Sequence, residues 1–319
     1  MAFTLLVQPG WRSHVDRVWS SYDGIVPVVK GNGYGFGRPG LIGLSAQFGA
    51  EELAVGTVHE LGDIPLVGPS PIVLTPVLPA DLDAMTIAAH TIFTVGSLAD
   101  VATLSGRGNR VLIKMASSMR RYGVHPDEVA TVAGAATAAG LQVHGYAIHL
   151  PLPQPAGGNA LEITDLLEVV PNGTTAYLSH LSAGEMRTLA AMYPHKRLRA
   201  RVGTELWIGD KAHLKLVADV VDVRPIESGQ SAGYRRWPAD EDGHLVMVSA
   251  GSAHGVQALR DSRSPFHFAQ RRLGLHEPPH MHTSMCIVPL GSPLPTIGDR
   301  VDVQQPLTRV WPDRVQFVS

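Results

Sequence analysis

Cysteine is almost missing from this chain. A single residue, Cys286, occurs in 319, which excludes an internal disulfide framework and suits a reducing compartment. Charge is sparse and nearly balanced. With 17% charged residues, a formal charge of −2 and an isoelectric point near 6.7, the chain has no electrostatic footprint for nucleic acid. The pair Arg271–Arg272 is isolated and reads as solvated surface. No apolar run approaches the roughly 20 residues of a membrane span. The opening MAFTLLVQPGW has neither the charged start nor the long apolar core of a secretory signal. These absences lead to the expectation of a soluble, cytoplasmic protein with no membrane and no nucleic-acid partner. Disorder as the main state is excluded by the 45% hydrophobic content, enough to bury a sizeable core.

Short β-branched runs alternate with helical stretches from about Asp23 to Gly209. Eight candidate strands are IVPVV before Lys30, ELAVGT from Glu52, PIVLTPV from Pro71, TIFTV from Thr91, RVLIKM from Arg110, VHGYAIHL from Val143, TTAYLSHL from Thr174 and LRARVG from Leu198. The segments between them, such as PDEVATVAGAATAAG, repeat apolar residues at helical spacing. Eight strand–helix units within roughly 190 residues predict an α/β protein with a (β/α)₈ TIM barrel over residues 1–209. An open doubly wound sheet is the alternative. It would usually carry a GxGxxG phosphate-binding turn after its first strand, and none occurs there. Beyond Gly209 the texture changes. VADVVDVRPI, HLVMVSAG, MCIVPL and DRVDV are short strands punctuated by Gly, Pro and Asp, which predicts a β-strand C-terminal domain over 210–319.

Active sites of such barrels form at the C-terminal ends of the strands. Here Lys30 ends the first predicted strand, Lys114 the fifth and His149 the sixth, while Ser182 follows the seventh and Arg201 with Gly203 closes the eighth. A lysine ending an apolar strand is costly to bury without a role. Burial also lowers its pKa and favours the neutral amine that condenses with aldehydes. A strand-terminal lysine pointing to solvent is the ordinary reading of an arbitrary lysine, and the surrounding VPVVKGNGYGFG weighs against it here.

VVKGNGYGFG resembles the VVKANAYGHG stretch of alanine racemases, fold-type III pyridoxal-phosphate enzymes. The likeness runs through most of the chain. KMASSMRRYG is similar to the family's KVDTGMxRxG, YAIHL to its THF segment and RVGTELWIG to RPGIxLYG. GYRRWPADEDGHLVMVSAGSAHG resembles the C-terminal stretch that ends in GYADG, and SMCIVPLG and GDRV resemble its cMDq and GDxV segments.

The resemblance implies pyridoxal 5'-phosphate held by Lys30 as an internal aldimine, with Lys30 also the base on one face of the substrate's α-carbon. It places Tyr34 near the cofactor phosphate, His149 along the pyridine ring and Arg201 on the pyridine nitrogen. Ser182 with the backbone at Gly203 and Thr204 would cradle the phosphate, and Arg121 would hold the phenolic oxygen and the substrate carboxylate. Lys114 occupies a position that some members carbamylate. An arginine on the ring nitrogen cannot accept its proton. The ring is then a poorer electron sink, which suits proton exchange better than decarboxylation. Glu205, four residues on, is too far along to substitute for it.

Racemisation needs a base on each face, and the family's second base is the tyrosine of GYADG, supplied by the partner subunit. This chain reads GSAHG, with Ser252 at that position, and Cys286 replaces the aspartate of cMDq. A lone serine hydroxyl is no general base near neutral pH. His254 and Cys286 are the residues that could substitute for it. The tail after Phe317 also stops short of a tyrosine that the family carries. HEPPHMHTSMC, with His276, His280, His282 and Cys286, has spacing permissive for zinc but reads as a polar loop, so no metal is expected. The expected function is amino-acid racemisation on a small substrate such as alanine, in a homodimer, with an impaired or altered second base. The alternatives are a pyridoxal-phosphate-binding or regulatory protein without racemase activity, and a one-base enzyme acting on D-amino acids.

Overall fold

A computed structural model describes residues 2–83, 88–152 and 159–318. The chain divides into two compact units. One comprises residues 15–31 and 38–207, the other residues 1–14, 32–37 and 208–319. In chain order, β1 (Phe3–Val7) lies in the second of these, whereas β2 (Ile25–Pro27), β3 (Glu52–Val55), β4 (Ser70–Val73), β5 (Ile92–Val95), β6 (Arg110–Lys114), β7 (Gln142–His149), β8 (Thr175–Ser179) and β9 (Arg197–Val202) build the first.

β2 to β9 form one parallel sheet in which each strand pairs with the next. β2 returns to β9 at Ile25↔Ala200, and a parallel bridge Val28↔Ala54 joins it to β3. Closure is sealed by the Val29 N–H donating to the Ala54 carbonyl at 2.8 Å. The result is the (β/α)₈ TIM barrel that the eight alternating runs predict. Its interior is packed by Val26, Val28, Ala54, Ile72, Ile92, Leu112, Ala147 and Tyr177, all buried. Inward residues of successive parallel strands stack into layers, so β-branched and small side chains fill the taper.

At the N-terminal end the barrel is closed by a polar cluster. The Glu52 carboxylate accepts from the Tyr177 hydroxyl, 3.0 Å from each oxygen, and lies 2.6 Å from His144 Nε2 and 3.4 Å from Arg199 Nη1. Burial pushes the Glu52 pKa up. The His144 hydrogen bond and the Arg199 charge outweigh it and leave the carboxyl below its ordinary value.

The second unit is the β-domain. Its β10 (Leu214–Ile226) pairs antiparallel with β1, with Gly243–Val248 and with Arg300–Val303, and Gly243–Val248 continues to Ser284–Pro289. β1 also pairs in parallel with Arg314–Phe317. No helix among the described residues is long and apolar enough to cross a membrane.

Removing the charge from Glu52 should leave Arg199 inadequately paired. Glu52→Gln is expected to cost about 3 kcal/mol, the lower end for breaking a buried pair because Glu51 also faces Arg199 at 2.9 Å. Equilibrium urea unfolding measures it. A carboxyl held below its unfolded pKa contributes stability above that pKa and loses it as pH falls through the folded value. The stability difference between parent and variant should therefore shrink on acidification below about pH 4.

Candidate active site

The C-terminal ends of the barrel strands surround a cavity of about 180 Å³. Lys30, Lys114, Arg121, His149 and Arg201 all line it, together with Gly56, Thr57, Leu74, Thr75, Ser117, Met119 and Tyr122. Five residues singled out from strand ends and motifs thus converge on one mouth. No carboxylate belongs to this described lining.

Lys30 sits three residues beyond β2, where Gly31 (φ +65°) begins to turn the chain. The expectation of a buried lysine is only partly met. Lys30 is exposed at the mouth, because the strand has already ended when the chain reaches it. Its pKa is nonetheless lowered, first by desolvation and then by the charges of Arg121 and Arg201, with Glu60 opposing. Glu60 has a positional role as well. Its carboxylate accepts the Gly31 N–H at 3.0 Å and the Gly56 N–H at 2.6 Å, tying the lysine's turn to the loop after β3. A Cβ on Gly56 would lie 3.3 Å from the Lys30 Cβ, so a larger residue there would crowd the lysine.

Lys114, the last residue of β6, is buried, and its Nζ donates to the Met115 carbonyl at 2.8 Å. Desolvation, then Arg201 and Arg121, lower its pKa to about 7. His149 ends β7, with its ring 4.6 Å from that of His180. Desolvation and the cations around it lower its pKa to about 3, so it is a neutral imidazole at physiological pH. Arg201 in β9 is buried and donates through Nη2 to the Ile148 carbonyl at 2.8 Å, while its buried Nε has no partner. Burial lowers its pKa to about 10, which leaves it charged at neutral pH. Glu205 is occupied elsewhere, accepting from the Tyr22 hydroxyl at 2.8 Å.

Arg121 is carried by the loop after β6. That loop folds back on its own strand, with Ala116 N–H donating to the Val124 carbonyl and Val124 N–H to the Lys114 carbonyl, at 2.8 and 2.7 Å. The return depends on Gly123, whose φ is +151° and whose added Cβ would come within 2.7 Å of the Ala116 nitrogen. The loop is also braced by Ser117, whose hydroxyl donates to the His149 carbonyl at 2.7 Å, and by Glu162, whose carboxylate accepts from both the Ser118 N–H and its hydroxyl.

Other candidates lie outside this lining. Ser182 is exposed and caps the helix Ala183–Met192 in a reciprocal capping box with Glu185, a role readable in the sequence as Ser-x-x-Glu. Gly203 and Thr204 open the short helix Thr204–Ile208, whose Trp207 N–H donates to the Gly203 carbonyl at 3.0 Å. Tyr34 is buried in residues 32–37, with φ +54°. Ser252 is exposed in the β-domain and its hydroxyl donates to the His280 carbonyl at 3.2 Å. The His254 ring is engaged at both nitrogens: Nδ1 accepts from the Gly251 N–H at 3.1 Å and Nε2 lies 3.3 Å from Asp313. Cys286 is fully buried, and desolvation pushes its thiol pKa up to about 12.

The histidines of HEPPHMHTSMC form no metal-binding group among the described residues. His280 bonds Glu277 and His276 contacts the Ala232 carbonyl. Thr57, Thr75, Leu74, Ser117 and Met119 were not predicted from the sequence, nor was Tyr122, although KMASSMRRYG contains three of the six.

The eight-stranded parallel barrel and the β-domain match the fold of solved alanine racemases. The chain superposes on the enzyme of Clostridium difficile 630 with a TM-score of 0.75 at 15% identity, over 99% of this chain and 96% of that one. It superposes on the Bartonella henselae enzyme, described with covalently bound pyridoxal phosphate, with a TM-score of 0.74 at 15% identity over the full length of both. In sequence it is 26% identical to the alanine racemase of Mycolicibacterium vanbaalenii over 262 residues, which is 73% of this chain and 66% of that protein. With that of Marinobacter nauticus it shares 24% over 187 residues, 54% of this chain and 52% of the relative. The chain thus spans between half and two thirds of the curated relatives it matches. Residues 11–206 match the family model for the alanine racemase N-terminal domain. The chain belongs to the alanine racemase family.

Arg201 is a shared electrostatic cause of the lowered pKa values of Lys30, Lys114 and His149. Replacing it with Met removes a positive charge, so all three should rise. Reductive ¹³C-methylation followed by NMR titration should find Lys114 protonating near pH 7 in the parent and at distinctly higher pH in Arg201→Met.

Proposed function

We propose that this protein binds pyridoxal 5'-phosphate through Lys30 and racemises a small amino acid such as alanine. The observation that carries the reading is the pairing of Lys30, whose amine is biased toward the neutral form, with the unpartnered buried Nε of Arg201 in a cavity whose described lining holds cations and no carboxylate. A flat, anionic aldehyde fits these residues. Its carbonyl suits the amine, its ring nitrogen can accept from Arg201, and its negative charge relieves repulsion among the cations. When bound, pyridoxal phosphate supplies the electron-withdrawing system that acidifies the α-hydrogen of an amino acid.

Each residue has a distinct part in this reading. His149, held neutral, packs along the ring without adding charge. Arg121 orients the substrate carboxylate and the phenolic oxygen. Arg201 donates a hydrogen bond but never a proton to the ring nitrogen, which limits charge build-up there. Lys30 removes or returns the α-proton on its own face. Gly203, Thr204, Ser182 and Tyr34 are the candidate phosphate cradle, and Lys114 is the candidate for carbamylation. The relatives named above are described as alanine racemases, which supports alanine as substrate. The family resemblance supports a cytoplasmic homodimer.

Ser252, hydrogen-bonded to a carbonyl and with no adjacent base described, favours a second reading: a cofactor-binding protein that lacks racemisation. Incubation with pyridoxal phosphate followed by borohydride reduction should place the cofactor's mass on the Lys30 peptide. Lys30→Ala should abolish both the yellow colour and the label. A colourless parent with no label overturns the proposal. Labelling without interconversion of L- and D-alanine establishes the second reading instead. Deuterium uptake into a single enantiomer would point to one-base chemistry.

A further inference from the structure

Inverting a planar carbon takes proton-transfer groups on both faces, and Lys30 serves one. The residues that the sequence offers for the other do not line the cavity with Lys30: Ser252, His254 and Cys286 are absent from its described lining, and Cys286 is fully buried in the β-domain.

The cavity itself contains a phenol. Tyr122 lines it together with Lys30. Its hydroxyl donates to the Leu74 carbonyl at 3.0 Å and accepts from Arg121 Nη2 at 3.3 Å, and the Arg121 guanidinium carbon lies 5.1 Å from the ring centroid. Leu74 follows β4 and Lys30 follows β2, so the phenol oxygen is two strands round the rim from the lysine. At about 4.8 Å per strand that is roughly 10 Å between their backbone anchors. A small substrate can lie between two groups so placed. The fold-back at Gly123 fixes the direction of the loop that carries the ring, and Arg121 lies beside its oxygen.

We propose that Tyr122 is the second proton-transfer residue, supplied from the barrel loop in place of the tyrosine that GSAHG lacks. The inference rests on the racemase reading. In one direction the C–H bond facing Lys30 breaks and its proton passes to the lysine amine, giving an ammonium. The Tyr122 O–H bond then breaks, its proton forms a C–H bond on the opposite face, and a phenolate remains beside Arg121. The reverse reaction returns both protons, and exchange with solvent water resets the pair. No oxidant or further reactant is needed.

Two measurements test it. Tetranitromethane nitrates accessible phenols, and peptide mass spectrometry locates the product. Tyr122 should be nitrated in cofactor-free protein and protected once pyridoxal phosphate is bound. In the loaded enzyme, Tyr122→Phe should keep the cofactor and the deuterium exchange of one alanine enantiomer, lose exchange of the other, and slow racemisation by about 10²–10⁴-fold. Equal nitration with and without cofactor overturns the assignment, as does a loaded Phe variant that exchanges both enantiomers at the parent rate. If the loaded parent exchanges neither enantiomer while Tyr122 remains protected, the racemase reading has failed and takes this inference with it.

Discussion

The site depends on cations crowded together where burial strips them of water. Lys30, Lys114, Arg121 and Arg201 share one small barrel mouth, with no acidic side chain in its described lining to neutralise them. Barrel closure imposes the crowding, since parallel strands bring their C-terminal ends together whatever those ends carry. The cost is substantial. At Lys114, desolvation first and then the charges of Arg201 and Arg121 lower the pKa from 10.5 to about 7, which disfavours the ammonium by roughly 5 kcal/mol at 1.36 kcal/mol per tenfold change. A protein that keeps such an arrangement is preorganised for an anion, because a negatively charged ligand recovers energy that folding has already spent.

The supports around this cluster are two carboxylates that are not in its described lining. Glu60 grips two backbone N–H groups beside Lys30, and Glu162 grips the loop that carries Arg121 and Tyr122. Neither acid belongs to the described cavity lining, although Glu60 holds the N–H of the lining residue Gly56 and partly offsets the field at Lys30. The acids therefore fix the loops that carry the cations and leave most of the positive field in place.

Much of this was legible in the sequence, for a physical reason. The eight β-branched runs correspond to β2 to β9, and placing Lys30, Lys114, His149 and Arg201 at or near strand ends is enough to bring them together once the sheet is known to be parallel. Loop geometry was less legible. Tyr122 reaches the cavity because Gly123 adopts a backbone conformation that no periodicity encodes. β1 could not be assigned from its neighbours, since Phe3 pairs with Ala218 and Thr4 with Arg314. Ser182 was legible in a different sense. Its capping box was written in the residues, and the structure uses it there.

The Glu52–His144–Tyr177–Arg199 cluster lies at the end of the barrel remote from the cations. Cohesion and the cation-lined cavity are thereby assigned to opposite rims of one cylinder. Loops at the cavity rim can be exchanged in the course of descent while the other rim keeps the cylinder shut. A scaffold divided in this way permits a lineage to vary the side chains at its mouth without risking collapse of the whole.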